Sequence, residues 1–153
     1  RKATELGANA AAAGVMHWDH LGRQLRFEGS VVQSPRADSD AYFASRPWRS
    51  RINARVSEQS RPIADPRTLE ERARQLAAEL GLPDPFSAKE PDAPATIERP
   101  DDWGGYRFWF SAIELWSSGA DRFHERLRYE RSLKPADAFG FVTGAWNHVR
   151  LQP

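Results

Sequence analysis

The stretch DRFHERLRYERS, residues 121 to 132, gathers four arginines and a histidine in a chain that is otherwise almost neutral. With the period of two that a strand imposes, Arg122, His124, Arg126 and Arg128 share one face. Phe123, Leu127 and Tyr129 take the other, with Glu125 among them. Guanidinium groups fork for bidentate contact with phosphate or carboxylate, and an imidazole donates or accepts near neutral pH. The cationic face is therefore either an anion site or the solvated side of an ordinary strand. A second candidate lies in DSDAYFASRP, where Asp38 or Ser39 reads as a helix cap and Pro47 as a stop. Tyr42 and Arg46 then stand one turn apart on one helix face.

These residues need elements to hold them. RKATELGANA reads as a short helix or turn, AAAGVMHW as a buried strand, and RQLRFEGSVVQS as a half-buried strand in which Gly29 marks a bulge. Leu25, Phe27 and Val31 fall on one side of it, and Gln24, Arg26 and Glu28 on the other. WRSRINARVSEQSRP looks irregular. DPRTLEERARQLAAELG is the clearest helix, with Asp65 capping, Pro66 at the first turn, Gly81 closing, and an apolar stripe of Leu69, Ala73, Leu76, Ala77 and Leu80. Residues 82 to 102 hold five prolines and almost no periodicity, which predicts a surface loop. Two or three strands follow across WGGYRFWFSAIELWSSGADRFHERLRYERS. LKPADAFGFVTG is longer than a tight hairpin needs, and AWNHVRLQP is a final strand. Mostly antiparallel strands with two helices predict a small barrel with helical additions.

Composition narrows the chemistry. At 153 residues the default is one domain, and 22 Lys+Arg against 21 Asp+Glu give a net charge of +1, so no global field favours nucleic acid or a membrane surface. The absence of cysteine excludes disulfides, thiolate metal sites and cysteine nucleophiles, and fits a reducing compartment. No apolar run reaches membrane-spanning length and the start lacks a signal-peptide core, so a cytoplasmic protein is expected. The four histidines make no helical metal-binding pair, and no metal is expected. There is no Walker or Rossmann glycine pattern and no nucleophile elbow. Six tryptophans, three tyrosines and eight phenylalanines are mostly core, yet aromatics beside local arginines also suit a flat phosphorylated ring.

Seven separated pieces, RKATEL, GRQLRFEG, AYFASRPWRS, SEQSRP, WGGYR, IELWSSG and RFHERLRYER, stand in the order and at separations similar to the motifs of pyridoxine (pyridoxamine) 5′-phosphate oxidases. The chain resembles that family from Arg1 to the terminal RLQP. The resemblance implies a mainly β fold with flanking helices, an antiparallel Greek-key FMN-binding split β-barrel, as a single domain over 1–153 that lacks its N-terminal segment. It implies a homodimer with FMN at the interface. On the matching positions it gives Arg1, Lys2, Gln24, Gln59, Ser60, Trp116 and Arg126 as cofactor contacts. Tyr42, Arg46 and Ser50 match the substrate-phosphate grip, and Arg122 and His124 match the catalytic pair set against the substrate ring. The implied reaction oxidises pyridoxamine or pyridoxine 5′-phosphate to pyridoxal 5′-phosphate, with molecular oxygen reduced to hydrogen peroxide.

The sequence departs from the family pattern in four places. A first flavin-binding strand and a substrate lysine have no counterpart among these residues. RINAR occupies residues 51 to 55 where a sequence close to QIGAW is usual, Phe123 replaces a leucine, and the segments 82–102 and 133–144 are longer. Two alternatives follow: a flavin oxidase of phenazine biosynthesis, which shares HERLRY and the terminal RLQP, and a non-catalytic flavin-binding homologue.

Overall fold

The computed structural model describes residues 2–92 and 96–153. They fall into two compact units, one within residues 1–34 and 106–153 and the other within residues 35–105.

The first unit is built on alternation. After helix α1 (Lys2–Ala8), strands β1 (Ala11–Trp18), β2 (Arg23–Gln33), β3 (Tyr106–Ser117), β4 (Glu125–Glu130) and β7 (Asn147–Leu151) form one antiparallel sheet in the order β1-β2-β3-β4-β7. Between β4 and β7 the chain makes a separate hairpin, β5 (Leu133–Asp137) with β6 (Gly140–Thr143), which accounts for the long 133–144 segment. On one sheet face lie Gln24, Arg26 and Glu28 of β2, Ala112, Glu114 and Trp116 of β3, and Arg126, Arg128 and Glu130 of β4. The opposite face carries Leu25, Phe27, Ile113, Leu115, Leu127 and Tyr129.

The expected bulge is present. Glu28 pairs with Ala112 but Gly29 with Phe110, so Ser111 is the extra residue, and its hydroxyl donates to the Glu28 carbonyl at 3.2 Å. A side chain at Gly29 would put its Cβ 2.0 Å from the Trp109 carbonyl oxygen, so only glycine lets the two backbones meet there. The bulge sits beside the edge-to-face cluster of Phe27 with Phe108 and Phe110, at 5.1 and 5.5 Å.

Three expectations need correction here. AAAGVMHW is a strand but not a buried one: among the described residues β1 pairs only with β2, and Val15 and Met16 are 60% and 50% exposed. The strand predicted from residue 121 begins at Glu125. Ahead of it Ala120–Arg122 form a 3₁₀ turn in which Asp121 and Arg122 have φ of 51° and 67°, which breaks the two-residue alternation. Phe123 is consequently 77% exposed and is not a core residue, whereas Leu127 and Tyr129 are half-buried.

The second unit is helical. Helix α2 (Arg36–Ser45) starts two residues before the expected caps, after Pro35. The segment read as irregular contains helix α3 (Trp48–Val56), which follows Pro47 and buries Trp48 and Ile52 one turn apart. Helix α4 (Arg67–Glu79) is the one the sequence announces: the Asp65 carboxylate accepts the Arg67 N–H at 2.9 Å, and Gly81 takes a φ of 68° beyond its end. Of its stripe, Ala73 and Ala77 are buried, Leu76 packs at the margin and Leu80 is exposed. Phe43, Trp48, Ile52, Ala73, Ala77 and Ile97 form the core of this unit. The proline-rich segment has no helix or strand among its described residues, yet it contributes Ile97 to that core.

Candidate functional site

Strand register assembles the first group of candidate residues. Gln24 lies opposite Trp116, and Trp116 lies opposite Arg126, so three residues distant in sequence form one row across β2, β3 and β4. The ring of His124, just before β4, rests against Trp116 with centroids 4.7 Å apart. Its Nδ1 accepts the Gly119 N–H at 3.3 Å, which puts the proton of the neutral ring on Nε2. Gly119 is needed for that turn, since a Cβ there would stand 1.8 Å from the Phe123 carbonyl oxygen. An amide, an indole, an imidazole and a guanidinium thus share one half-buried patch.

Arg126 is held from two sides. Its Nε donates to Glu114 Oε1 at 2.9 Å and its Nη1 to the Gln152 carbonyl at 3.1 Å. Glu114 is only 3% exposed and lies one row along the same face. Arg128, the last residue of the cationic face, is structural: it donates from both Nη atoms to Glu28 at 3.1 and 3.2 Å and from Nε to Glu130 at 2.7 Å. The bond from Arg126 holds the Glu114 carboxyl below its ordinary range against the opposing effect of burial. The bond from Arg128 does the same for Glu28.

A second group gathers in the helical unit around Trp103. The Tyr42 ring stacks on Trp103 with centroids 6.0 Å apart and planes at 25°, and the Arg46 guanidinium lies 5.2 Å from the same ring. Arg46 Nη1 is buried with no hydrogen-bond partner, so one strong donor of this arginine is unsatisfied. Helix α2 ends at Ser45 and Arg46 has extended backbone, so Arg46 is not on the helix face of Tyr42 as expected, and Ser50 lies half-buried in the next helix, α3. Trp103 is itself fixed through Arg99, whose side chain is 7% exposed and which donates to the Trp103 carbonyl and, from Nε, to Asp40 at 2.6 Å.

The remaining candidates are dispersed. Arg1 lies outside the described residues, and Lys2 is an exposed residue at the start of α1. Gln59 and Ser60 occupy an exposed turn, Ser60 with a φ of 69°. Arg122 is exposed in its left-handed turn and does not continue the face of Arg126 and Arg128. Sequence reasoning missed Trp103 and Glu114. Glu114 had a signal, because it stands two residues before Trp116 in a strand and therefore on the same face. Among the described residues no cluster of three or more His, Asp or Glu is arranged to hold a metal ion. No helix among them is long and apolar enough to cross a membrane.

Residues 103–153 match the family described as the pyridoxine 5′-phosphate oxidase C-terminal dimerisation region. Over 153 residues the chain is 43% identical to a pyridoxine/pyridoxamine 5′-phosphate oxidase of Paraburkholderia phymatum and 40% identical to that of Paraburkholderia phytofirmans. Along its whole length the chain is similar to pyridoxine/pyridoxamine 5′-phosphate oxidases. Each alignment takes in 100% of this chain and 62% of the relative, so the chain spans about three-fifths of their length.

Among solved structures, that of PhzG from Burkholderia lata, in complex with tetrahydrophenazine-1-carboxylic acid, is similar with a TM-score of 0.73 at 28% identity. The match covers 100% of this chain and 64% of that one. A pyridoxamine 5′-phosphate oxidase-related, FMN-binding protein from Nostoc punctiforme shares the fold with a TM-score of 0.62 at 14% identity, over 99% of this chain and 68% of that one. The mainly antiparallel fold with flanking helices is therefore the split-barrel fold of these two structures.

Proposed function

We propose that residues 1–153 form an FMN-binding domain of an oxidase acting on pyridoxamine or pyridoxine 5′-phosphate, in a protein that works as a homodimer. The observation that carries this reading is the cross-strand row Gln24–Trp116–Arg126, with His124 against the tryptophan. An amide that donates and accepts, a flat aromatic surface and a fixed cation suit a planar, hydrogen-bonding, anionic group, and FMN is one. Gln24, Trp116 and Arg126 would hold it, with Arg1, Lys2, Gln59 and Ser60 as further contacts. The 40% identity to named B6-phosphate oxidases supports the same assignment.

Tyr42, Arg46 and Ser50 would bind the substrate phosphate. A phenol, a guanidinium with an unpartnered buried N–H and a hydroxyl can together satisfy several phosphate oxygens. Arg122 and His124 would orient the substrate ring, and with Nδ1 taken by the Gly119 N–H, His124 Nε2 is the nitrogen that would meet a reacting group. FMN, when bound, supplies the two-electron oxidation. Overall, the amine substrate, oxygen and water give the aldehyde, ammonia and hydrogen peroxide; the alcohol and oxygen give the aldehyde and hydrogen peroxide.

A second reading is favoured by the fold match to PhzG, a protein whose structure holds a tetrahydrophenazine carboxylic acid. Oxygen uptake by the purified full-length protein separates the two. A yellow protein that consumes oxygen with pyridoxamine 5′-phosphate supports the first. A yellow protein inert to B6 phosphates but active on reduced phenazine carboxylates establishes the second. A protein that cannot take up FMN rules out both.

A further inference from the structure

Glu114 is a carboxylate sealed into a sheet face, with a side chain 4% exposed, one row from Trp116 and Arg126. Isolated, such a group is costly to bury, and this one is kept charged by Arg126 at 2.9 Å and Arg128 at 3.9 Å. We propose that Glu114 is a positioning residue for the cofactor: it fixes the plane of the Arg126 guanidinium so that the remaining N–H groups are aimed at the bound flavin. The inference rests on the FMN reading of the Gln24–Trp116–Arg126 row.

Arg126 spends Nε on Glu114 and one Nη1 hydrogen on the Gln152 carbonyl. Two anchors on a planar, delocalised group leave it no rotation about its own axis, and Nη2 is the edge left for a ligand. Glu114 is in turn immobilised, because its second oxygen faces Arg128, and Arg128 is clamped by Glu28 and Glu130. The contacts run from Glu28 on β2 to Arg128 on β4, then to Glu114 on β3 and to Arg126 on β4, so the orientation of Arg126 is set by side chains of three strands.

Charge gives the test its sign. Arg26, Arg126 and Arg128 face Glu28, Glu114 and Glu130 on this surface, so the six formal charges cancel. Replacing Glu114 by glutamine leaves the face with one excess positive charge. If the carboxylate acted only through the local field, an anionic flavin would bind the variant more tightly. If it positions Arg126, the flavin binds less tightly in spite of the extra charge.

The experiment titrates FMN into the full-length apoprotein by flavin fluorescence, for the wild type, Glu114→Gln, Arg126→Met and the double variant. Glu114→Gln is expected to weaken FMN binding about tenfold in the wild-type background and to change it less than about twofold in the Arg126→Met background. Tighter or unchanged binding by Glu114→Gln overturns the proposal. Equal weakening in both backgrounds also overturns it, since that is what a purely structural role produces. Where Glu114→Gln does not fold, Glu114→Asp keeps the charge but withdraws the carboxylate, and the same loss and the same cancellation are expected. A wild type that takes up no FMN refutes the flavin reading itself, a result distinct from all of these.

Discussion

Replacing Arg46 with alanine is expected to weaken ligand binding while leaving the free protein as stable as before or more so. Two contributions decide the stability of the free state. The substitution removes the contact between the guanidinium and Trp103, 5.2 Å away, worth about 0.5–1 kcal/mol. It also removes Nη1, a buried donor with no partner, whose desolvation costs about 1–3 kcal/mol. The balance runs from roughly zero to about 2.5 kcal/mol in favour of the variant, a rise in melting temperature of up to several degrees at about 2–4 °C per kcal/mol. Binding moves the other way. A charge-assisted bond to phosphate contributes about 1.5–3 kcal/mol, so affinity for pyridoxamine 5′-phosphate should fall by roughly 10- to 150-fold. FMN content should stay nearly intact, because the role proposed for Arg46 is in the substrate grip and not among the flavin contacts. Differential scanning fluorimetry of the apoprotein, calorimetric titration with the substrate and flavin absorbance of the purified variant measure the three quantities. A melting temperature several degrees below the wild type, or equal losses of substrate and flavin affinity, refutes the reasoning.

Two further outcomes follow from the packing and the charges. Ile52→Ala opens a cavity in the helical unit where the side chain is fully buried, and should destabilise the protein by about 2–5 kcal/mol in chemical denaturation. Acid stability tracks Glu28 and Glu114. Both carboxyls are depressed in the folded state by their arginine partners, so their contribution is present above their unfolded value near 4.5 and is lost as pH falls through the lower folded values. Thermal stability should therefore decline below about pH 4.5, and Glu28→Gln should make that decline shallower while lowering stability at neutral pH by no more than about 1 kcal/mol.

What the sequence discloses depends on whether a residue's role is local. The faces of β2 and β4 were legible because half-buried antiparallel strands alternate, and α4 because its cap, proline and glycine are adjacent to its stripe. Helix α3 was hidden: its apolar positions, Trp48, Ile52 and Val56, are only one per turn, diluted by Arg49, Ser50, Arg51 and Asn53. They become a core only when α4 and Ile97 arrive. The break at Asp121 and Arg122 had no signal, since neither is glycine and both take left-handed φ. Of the site, Gln24, Trp116 and Arg126 came together because strand register is set by the hydrophobic pattern, and His124 joins them from the turn ahead of β4. Trp103 could not be foreseen as the surface beneath Tyr42 and Arg46, because its placement depends on Arg99 within an aperiodic loop.

The bulge at Gly29 has a consequence for how related sequences can differ in length. Every side chain of the Gln24–Trp116–Arg126 row owes its facing to an uninterrupted count along β2, β3 and β4, so one residue gained or lost between 24 and 28 would turn Gln24 away from its partners. Ser111 already absorbs one extra residue at the bulge, which uncouples residues 29–33 and 106–110 from that count. The β5–β6 hairpin lies outside the five-stranded sheet altogether. Length variation should therefore gather in the hairpin and beyond the bulge, while the five residues from Gln24 to Glu28 align without gaps.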